Sequence, residues 1–228
     1  MKYIITEQQY RFLTEEKEQK VLELPGPEYF GDWEILQEFV MRRGNPKFII
    51  DGNLVFDNFW IGDLGNLVGV NGNLDLYGTK ISTLDNLEYV NGNLDLSLTT
   101  KLNNLGKLKY VGGDLKLTYS NLEDLGSYLE KIDGSLDLYE SDVESLDNLK
   151  YVNNDLDLRD AKNLETLGNL EYVGGKLSLG DSGIYDFGNL KYVGGSITLV
   201  NTPILNRKGY KDMLNKIQIV GSVFETVR

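Results

Sequence analysis

The chain has 228 residues, a formal net charge of −12, and neither cysteine nor histidine. This composition excludes disulfides, thiolate metal sites and every mechanism that needs an imidazole or a cysteine nucleophile. The acidic balance also argues against binding nucleic acid or an anionic membrane through a basic face, since both need clustered Lys and Arg.

The first 47 residues do not carry the repeat that follows and are predicted to form a helical N-terminal cap. Residues 6–9 read Thr-Glu-Gln-Gln, a capping-box pattern that predicts a helix to about Lys20. A Pro-Gly-Pro loop at residues 25–27 ends it, and a second helix is expected to begin at Asp32 and end at Arg43. One side of that second helix carries Trp33, Leu36, Phe39 and Val40.

Between residues 48 and 204 a glycine-punctuated apolar motif returns every 20 or 21 residues. One copy reads VNGNLDL from Val90, and the next reads VGGDLKL from Val111. A constant period of this length predicts a solenoid, in which each coil buries its apolar face against its neighbours. The sequence therefore predicts a mainly β, right-handed parallel β-solenoid of about eight coils.

Each coil is expected to hold six inward side chains. In the coil that starts at Gly72, Leu74 and Leu76 alternate with polar residues, as in a strand with one buried face. An arc of apolar residues at three-residue spacing follows, and Val90 closes the coil. The eight strands should begin near Leu54, Leu74, Leu94, Leu115, Leu136, Leu156, Leu177 and Ile197.

A sharp corner is expected just before each of these strands. Glycine adopts positive φ freely and asparagine tolerates it, so we expect left-handed backbone there. The corner residues are Gly52, Gly72, Gly92, Gly113, Gly134, Asn154, Gly175 and Gly195.

Two outward columns are regular enough to interpret. The first alternates in sign, which predicts ion pairs that disfavour a slip of register: Glu88, Lys109, Glu130, Lys150, Glu171 and Lys191. The second is a tyrosine strip, interrupted by Lys131, which either stabilises the stack or serves as a contact face. Its members are Tyr89, Tyr110, Tyr151, Tyr172 and Tyr192.

A third outward column is acidic, although like charges on adjacent rungs destabilise a sheet and Asp is a poor strand residue. Three interpretations stay open: a solvated face that discourages wrong pairing, a docking surface for a basic partner, and cation binding. Calcium binding lacks support from any nonapeptide or EF-hand spacing. The candidate partner-binding face comprises Asp75, Asp95, Asp114, Asp137, Asp155 and Asp157, and the loop edge around Thr79, Thr100 and Ser120 is a further alternative.

The repeat fails after Ile204, and residues 205–228 are predicted to form a C-terminal cap of one continuous domain. A short helix is expected from Arg207 to Leu214, followed by a degenerate strand pair within residues 217–224. At the other end, an aromatic plug is expected beneath the N-terminal cap, formed by Trp33, Phe56 and Trp60.

The segment LKYVGGSITL at residues 190–199 resembles the repeat of the receptor L domain, the leucine-rich-repeat-like β-helix of growth-factor receptors. Residues 72–81 are similar to bacterial and viral repeats of the form Gly-x-Leu-x-Leu-x-Gly-Thr-x-Ile. The resemblance covers roughly residues 48–204 and implies architecture, although the disulfides of receptor L domains are absent. Separately, the first ten residues resemble N-terminal segments of uncharacterised tailed-phage proteins, which implies a phage origin.

These observations predict a non-enzymatic repeat module that binds another protein, as a virion component or an inhibitor of a host protein. The alternatives are a purely structural spacer or decoration protein in an assembly, and a β-helix enzyme that acts on polysaccharide through Asp, Lys and Arg. No catalytic residue, cofactor or metal site is predicted, and the oligomeric state stays open. The N-terminal apolar run is too short for a signal peptide or a membrane span, so a cytoplasmic location in the host, or a place in the virion, is expected.

Overall fold

The computed structural model describes residues 21–26, 32–56 and 61–226. In these residues parallel strands stack coil upon coil into a mainly β solenoid, with two short α-helices. The predicted fold class is therefore confirmed. The capping box, the helix to Lys20, the phage-like first ten residues and Trp60 lie outside the described residues.

The strands form two sheets, and each coil contributes one short strand to each. Sheet A has ten strands in the order β1(Leu22–Pro25), β2(Phe48–Asp51), β4(Leu67–Val70), β6(Tyr89–Val90), β8(Tyr110–Val111), β10(Lys131–Ile132), β12(Tyr151–Val152), β14(Tyr172–Val173), β16(Tyr192–Val193) and β18(Gln218–Ile219). Sheet B has nine, namely β3(Leu54–Val55), β5(Leu74–Asp75), β7(Leu94–Asp95), β9(Leu115–Lys116), β11(Leu136–Asp137), β13(Leu156–Asp157), β15(Leu177–Ser178), β17(Ile197–Thr198) and β19(Val223–Phe224).

All eight predicted strand starts are confirmed, and about seven turns of chain separate them. Equivalent residues lie side by side in register, as Leu115 does between Leu94 and Leu136. The pairing is irregular at one point in the first coil, between Phe48 and Ile49. The 20- or 21-residue period therefore sets the register of both sheets.

The core is a set of apolar columns that run along the solenoid. In the coil that contains β9, six side chains have no exposed surface, namely Leu115, Leu117, Leu122, Leu125, Leu129 and Ile132. This matches the six inward residues expected per coil. Each fully buried side chain of this type contributes about 1.5–3 kcal/mol relative to an exposed one, so the columns are the main source of stability.

The reason predicted for the corner glycines is wrong. Among the described residues of that column, Gly52 alone has positive φ, at 125°. At Gly113 a Cβ atom would overlap Asn93 Oδ1 and lie 2.8 Å from the Gly92 carbonyl carbon. Glycine is favoured because successive corners stack closely, rather than because the backbone is left-handed, and Asn154 is the one residue of the column with a side chain.

Both ends of the solenoid depart from the repeat. The second predicted helix is present as α1(Trp33–Met41), and the Asp32 carboxylate caps it by accepting the Glu34 N–H at 3.1 Å. Leu36 and Val40 are buried, and the Trp33 ring packs edge-to-face on Phe56 at 5.1 Å. The expected Trp33–Phe56 contact is therefore present.

The C-terminal segment has a 3₁₀ turn at Pro203–Asn206 and a helix α2(Tyr210–Leu214) before β18 and β19. The helix is shorter than the predicted Arg207–Leu214 because Gly209, with φ of 82°, lies immediately before it. The predicted final strand pair is present. Within the described residues, no helix has the length and apolar character needed to cross a membrane.

Candidate functional site

Four of the predicted aspartates lie in one column on the outer face of sheet B. The pairing places Asp75 beside Asp95 and Asp137 beside Asp157, with Lys116 between the two pairs. All four are half-buried. We call Asp75, Asp95, Lys116, Asp137 and Asp157 the strand face.

Each strand-face aspartate also has a local structural role. The Oδ1 atom of Asp137 accepts the backbone N–H of Tyr139 at 3.0 Å, and the other three make the same bond two residues ahead, to Tyr77, Ser97 and Arg159. This Asx turn redirects the chain at the end of the strand. Folding therefore supplies one reason for the acidic column, beside any role in binding.

The other two predicted aspartates, Asp114 and Asp155, lie in the column just before the strand face. Asp114 Oδ1 accepts the Ser135 N–H of the next coil at 2.8 Å, and Asp155 Oδ1 accepts the Lys176 N–H at 2.7 Å. Asn53, Asn73 and Asn93 make equivalent bonds to their next coils. The Asn or Asp ahead of five of the sheet B strands was the sequence signal for this ladder, and sequence reasoning missed it.

Two variants of Asp137 distinguish the turn-closing role of a strand-face carboxylate from the effect of its charge. Asp137→Asn keeps an oxygen that accepts the Tyr139 N–H, and it removes a negative charge beside Asp157. We therefore expect a free energy of unfolding in urea equal to or slightly above that of the natural protein. Asp137→Ala removes the acceptor and should lower the free energy of unfolding by about 0.5–1.5 kcal/mol. Equal urea midpoints for the alanine and asparagine variants would contradict a structural Asx turn.

The tyrosine strip lies on the outer face of sheet A, and three of its five rings contact one another. Tyr172 and Tyr192 stack with centroids 4.9 Å apart and planes 5° from parallel, and Tyr151 is tilted on Tyr172 at 6.4 Å. The Tyr110 hydroxyl donates to Asp133 at 2.7 Å, which raises the pKa of Tyr110. Tyr151 is 39% exposed and the other four are half-buried, so stacking explains most of this strip.

The alternating charges form pairs between coils. Each lysine bonds the glutamate of the coil before it: Lys109 to Glu88 at 2.6 Å, Lys150 to Glu130 at 3.0 Å and Lys191 to Glu171 at 2.6 Å. The hydrogen bond from Lys109 lowers the pKa of Glu88. Exposed pairs of this kind are individually weak.

After each sheet B strand from β5 to β17, the chain turns through a residue with positive φ, which we call the left-handed corner. Seven coils contribute Gly78, Leu98, Tyr119, Glu140, Asp160, Asp181 and Asn201. Glycine, aspartate and asparagine adopt this conformation comparatively easily. Leu98, Tyr119 and Glu140 do not, and a left-handed conformation costs an ordinary residue about 1–2 kcal/mol.

Large side chains at and beside this corner are exposed to solvent. Tyr77 is 52% exposed, Leu98 is 38% exposed and Tyr119 is 45% exposed. The Tyr119 ring packs edge-to-face on Tyr139 at 5.5 Å, and the Arg159 guanidinium lies 5.2 Å from the Tyr139 ring centre. We call Tyr77, Leu98, Tyr119, Tyr139 and Arg159 the corner ridge.

Polar groups surround the corner ridge. Hydrogen bonding with Glu140 and Tyr119 raises the pKa of Tyr139. A depression of about 370 Å³ is lined by two corner residues, Glu140 and Asp160, and by residues that follow them in the chain, namely Ser141, Asp142, Lys162 and Asn163. At the Tyr139 and Arg159 end of the ridge, carboxylates therefore lie both on the strand face and in the depression.

At the loop edge around Thr79, Thr100 and Ser120, Thr100 is exposed and the other two residues are buried. Thr79 and Ser120 are 1% exposed, and the Thr79 hydroxyl donates to the Leu76 carbonyl at 2.8 Å. The residue equivalent to Thr79 in the next coil is Thr99, which is also buried, rather than Thr100. The Thr79 and Thr99 hydroxyls close their turns from inside the solenoid, whereas the buried Ser120 hydroxyl has no hydrogen-bond partner among the described residues.

Comparison of the chain with protein-family models, curated proteins and solved structures finds no match. Within the described part of the chain, no group of three or more acidic side chains is arranged to hold a metal ion.

Proposed function

We propose that this protein is a non-enzymatic repeat module that binds another protein through the corner ridge. The observation that carries the proposal is the exposure of Leu98 and Tyr119 at left-handed positions. If the resemblance of the first ten residues to phage proteins holds, the partner is a virion protein or a host protein.

The solenoid itself does not need these two side chains. Coils elsewhere make the same turn with Gly78, Asp181 or Asn201, which suit its backbone. Backbone strain of this kind persists in proteins mainly where it serves a site. Leu98 and Tyr119 lie in adjacent coils, so the two strained residues belong to one continuous surface.

The partner that suits this surface carries an apolar side chain close to Lys or Arg. An apolar group can cover Leu98 and the Tyr119 ring, as in the central part of a protein interface. Carboxylates of Asp75 and Asp137 flank the ridge on the strand face, and Glu140 and Asp142 flank it on the depression. Charges at the edge of an interface mainly accelerate association and select the partner.

The experiment is capture of partners by the immobilised full chain, followed by mass spectrometry. The double variant Leu98→Asn/Tyr119→Asn should lose the captured protein. The matched control is Tyr151→Asn, which removes an exposed tyrosine from the other sheet and should keep it. A partner retained equally by all three proteins would contradict binding through the corner ridge, and a structural spacer predicts no specific capture.

A separate prediction concerns the rate at which an identified partner associates with the protein, and it depends on the strand face. Asp75→Asn/Asp137→Asn keeps both Asx-turn oxygens but removes two negative charges beside the ridge. We expect association to slow several-fold at low salt and its salt dependence to flatten, with little change in dissociation. Unchanged association rates in surface plasmon resonance would restrict these aspartates to their structural role.

A further inference from the structure

The chain contains two Asn-Gly pairs, and both lie in the corners just before sheet B strands. Asn71-Gly72 and Asn91-Gly92 occupy equivalent positions in successive coils. Asparagine followed by glycine is the sequence most susceptible to deamidation, because glycine has no side chain that shields its backbone nitrogen. That nitrogen attacks the side-chain carbonyl carbon, and ammonia leaves with the proton of the attacking N–H. Water then opens the resulting succinimide ring to aspartate or isoaspartate.

In the folded chain the attacking nitrogen is engaged with the preceding coil. The Gly72 N–H donates to the Gly52 carbonyl at 2.9 Å, and the Gly92 N–H donates to the Gly72 carbonyl at 2.9 Å. The nitrogen can attack only after this hydrogen bond breaks and the peptide group turns toward the asparagine side chain. The backbone pairing of the corners therefore opposes the first step of deamidation.

The neighbouring coils also leave this peptide group little room to turn. A Cβ atom at Gly92 would lie 2.7 Å from the Gly72 carbonyl carbon, and one at Gly112 would lie 2.2 Å from the Asn91 carbonyl oxygen. The peptide group between Asn91 and Gly92 is therefore in close contact with the coil before it and the coil after it. Because close-packed structure resists such a rotation, the peptide group turns only when the coils separate.

The two asparagine side chains lie in one column with Asp51. The Asn71 Nδ2 donates to Asp51 Oδ1, and the Asn91 Nδ2 donates to Asn71 Oδ1, both at 3.4 Å. These side-chain bonds are long and exposed, so we assign the main restraint to the backbone of the stacked corners.

We propose that Asn71 and Asn91 are modification sites of the opened solenoid, which the stacked coils keep unreactive. Local opening of a coil frees the glycine nitrogen, and deamidation follows. An aspartate product fits the closed corner, since Asp51 and Asp133 occupy equivalent positions. Isoaspartate adds a carbon to the main chain, and the stacked corners have no room for it. Isoaspartate formation therefore makes the opening of a coil irreversible.

Mass spectrometry of peptides from the full chain measures the two reactions. We expect Asn71 and Asn91 in the folded protein to deamidate at least about ten-fold more slowly than in synthetic peptides of residues 68–76 and 88–96 in the same buffer, because the folded chain must first open. The urea-unfolded chain should react as fast as those peptides do in the same urea. Equal rates in the folded protein and the peptides would overturn the proposal.

The fate of the products tests whether isoaspartate prevents closure. Chains deamidated in urea are returned to native buffer, and size-exclusion chromatography separates the refolded fraction. Isoaspartate at position 91 should be several-fold depleted from that fraction, whereas aspartate at the same position should not be. The control variant Asn91→Asp adds the charge without the extra carbon and should melt like the natural protein. Equal proportions of isoaspartate and aspartate in the refolded fraction and the starting mixture would contradict irreversible opening.

Discussion

Replacing Leu115 by alanine is expected to lower the free energy of unfolding by about 2–5 kcal/mol. Leu115 has no exposed surface and lies in register between Leu94 and Leu136. Since the backbones of both flanking coils are held by their own neighbours, the structure cannot collapse into the cavity. Urea unfolding followed by circular dichroism measures the loss.

The adjacent residue provides the control for this change. Lys116 is exposed and lies 3.9 Å from the Asp95 carboxylate, so Lys116→Ala should change stability by less than about 0.5 kcal/mol. A loss below about 1 kcal/mol for Leu115→Ala would show that the core columns do not carry the stability assigned to them.

Replacing Gly174 by alanine should be among the most damaging single-methyl additions in the chain. The new Cβ would overlap the Asn153 carbonyl oxygen, which belongs to the backbone of the preceding coil and cannot move alone. Overpacking of this kind costs about 1–3 kcal/mol, and backbone against backbone lies at the upper end. The midpoint of urea unfolding should fall accordingly.

Gly180, six residues further along the same coil, is the matched control. Its Cβ would lie 3.8 Å from the nearest atoms, so Gly180→Ala should be neutral or stabilise by about 0.4–1 kcal/mol. Equal midpoints for Gly174→Ala and Gly180→Ala would contradict the close approach of successive corners.

The repeat made the fold readable from the sequence, because the 20- or 21-residue period specifies both the inward columns and the pairing register. The cause of the corner glycines could not be read from the sequence, since a crowded corner and a left-handed corner both favour glycine. β1(Leu22–Pro25) was missed for a different reason. It lies before α1 and outside the period, so its pairing with β2 has no local signal.

The candidate site was only partly predictable. The sequence placed the strand-face aspartates in one column, but it did not show that Asp75 and Asp137 close turns with their own backbone. The corner ridge was missed because Leu98 and Tyr119 give no sign of positive φ by themselves. Gly78 and Asn201 at equivalent positions indicated a left-handed corner, but this is apparent only when the sequences of the coils are aligned.

The urea midpoint of Leu98→Asn/Tyr119→Asn tests most directly whether the corner ridge serves binding rather than folding. Asparagine relieves the left-handed strain at both positions, worth about 1 kcal/mol each, and this should offset the partial burial that is lost. We therefore predict a midpoint equal to or above that of the natural protein. A free energy of unfolding lower by more than about 1 kcal/mol would show that Leu98 and Tyr119 hold the solenoid together. That result would contradict their assignment to a binding surface.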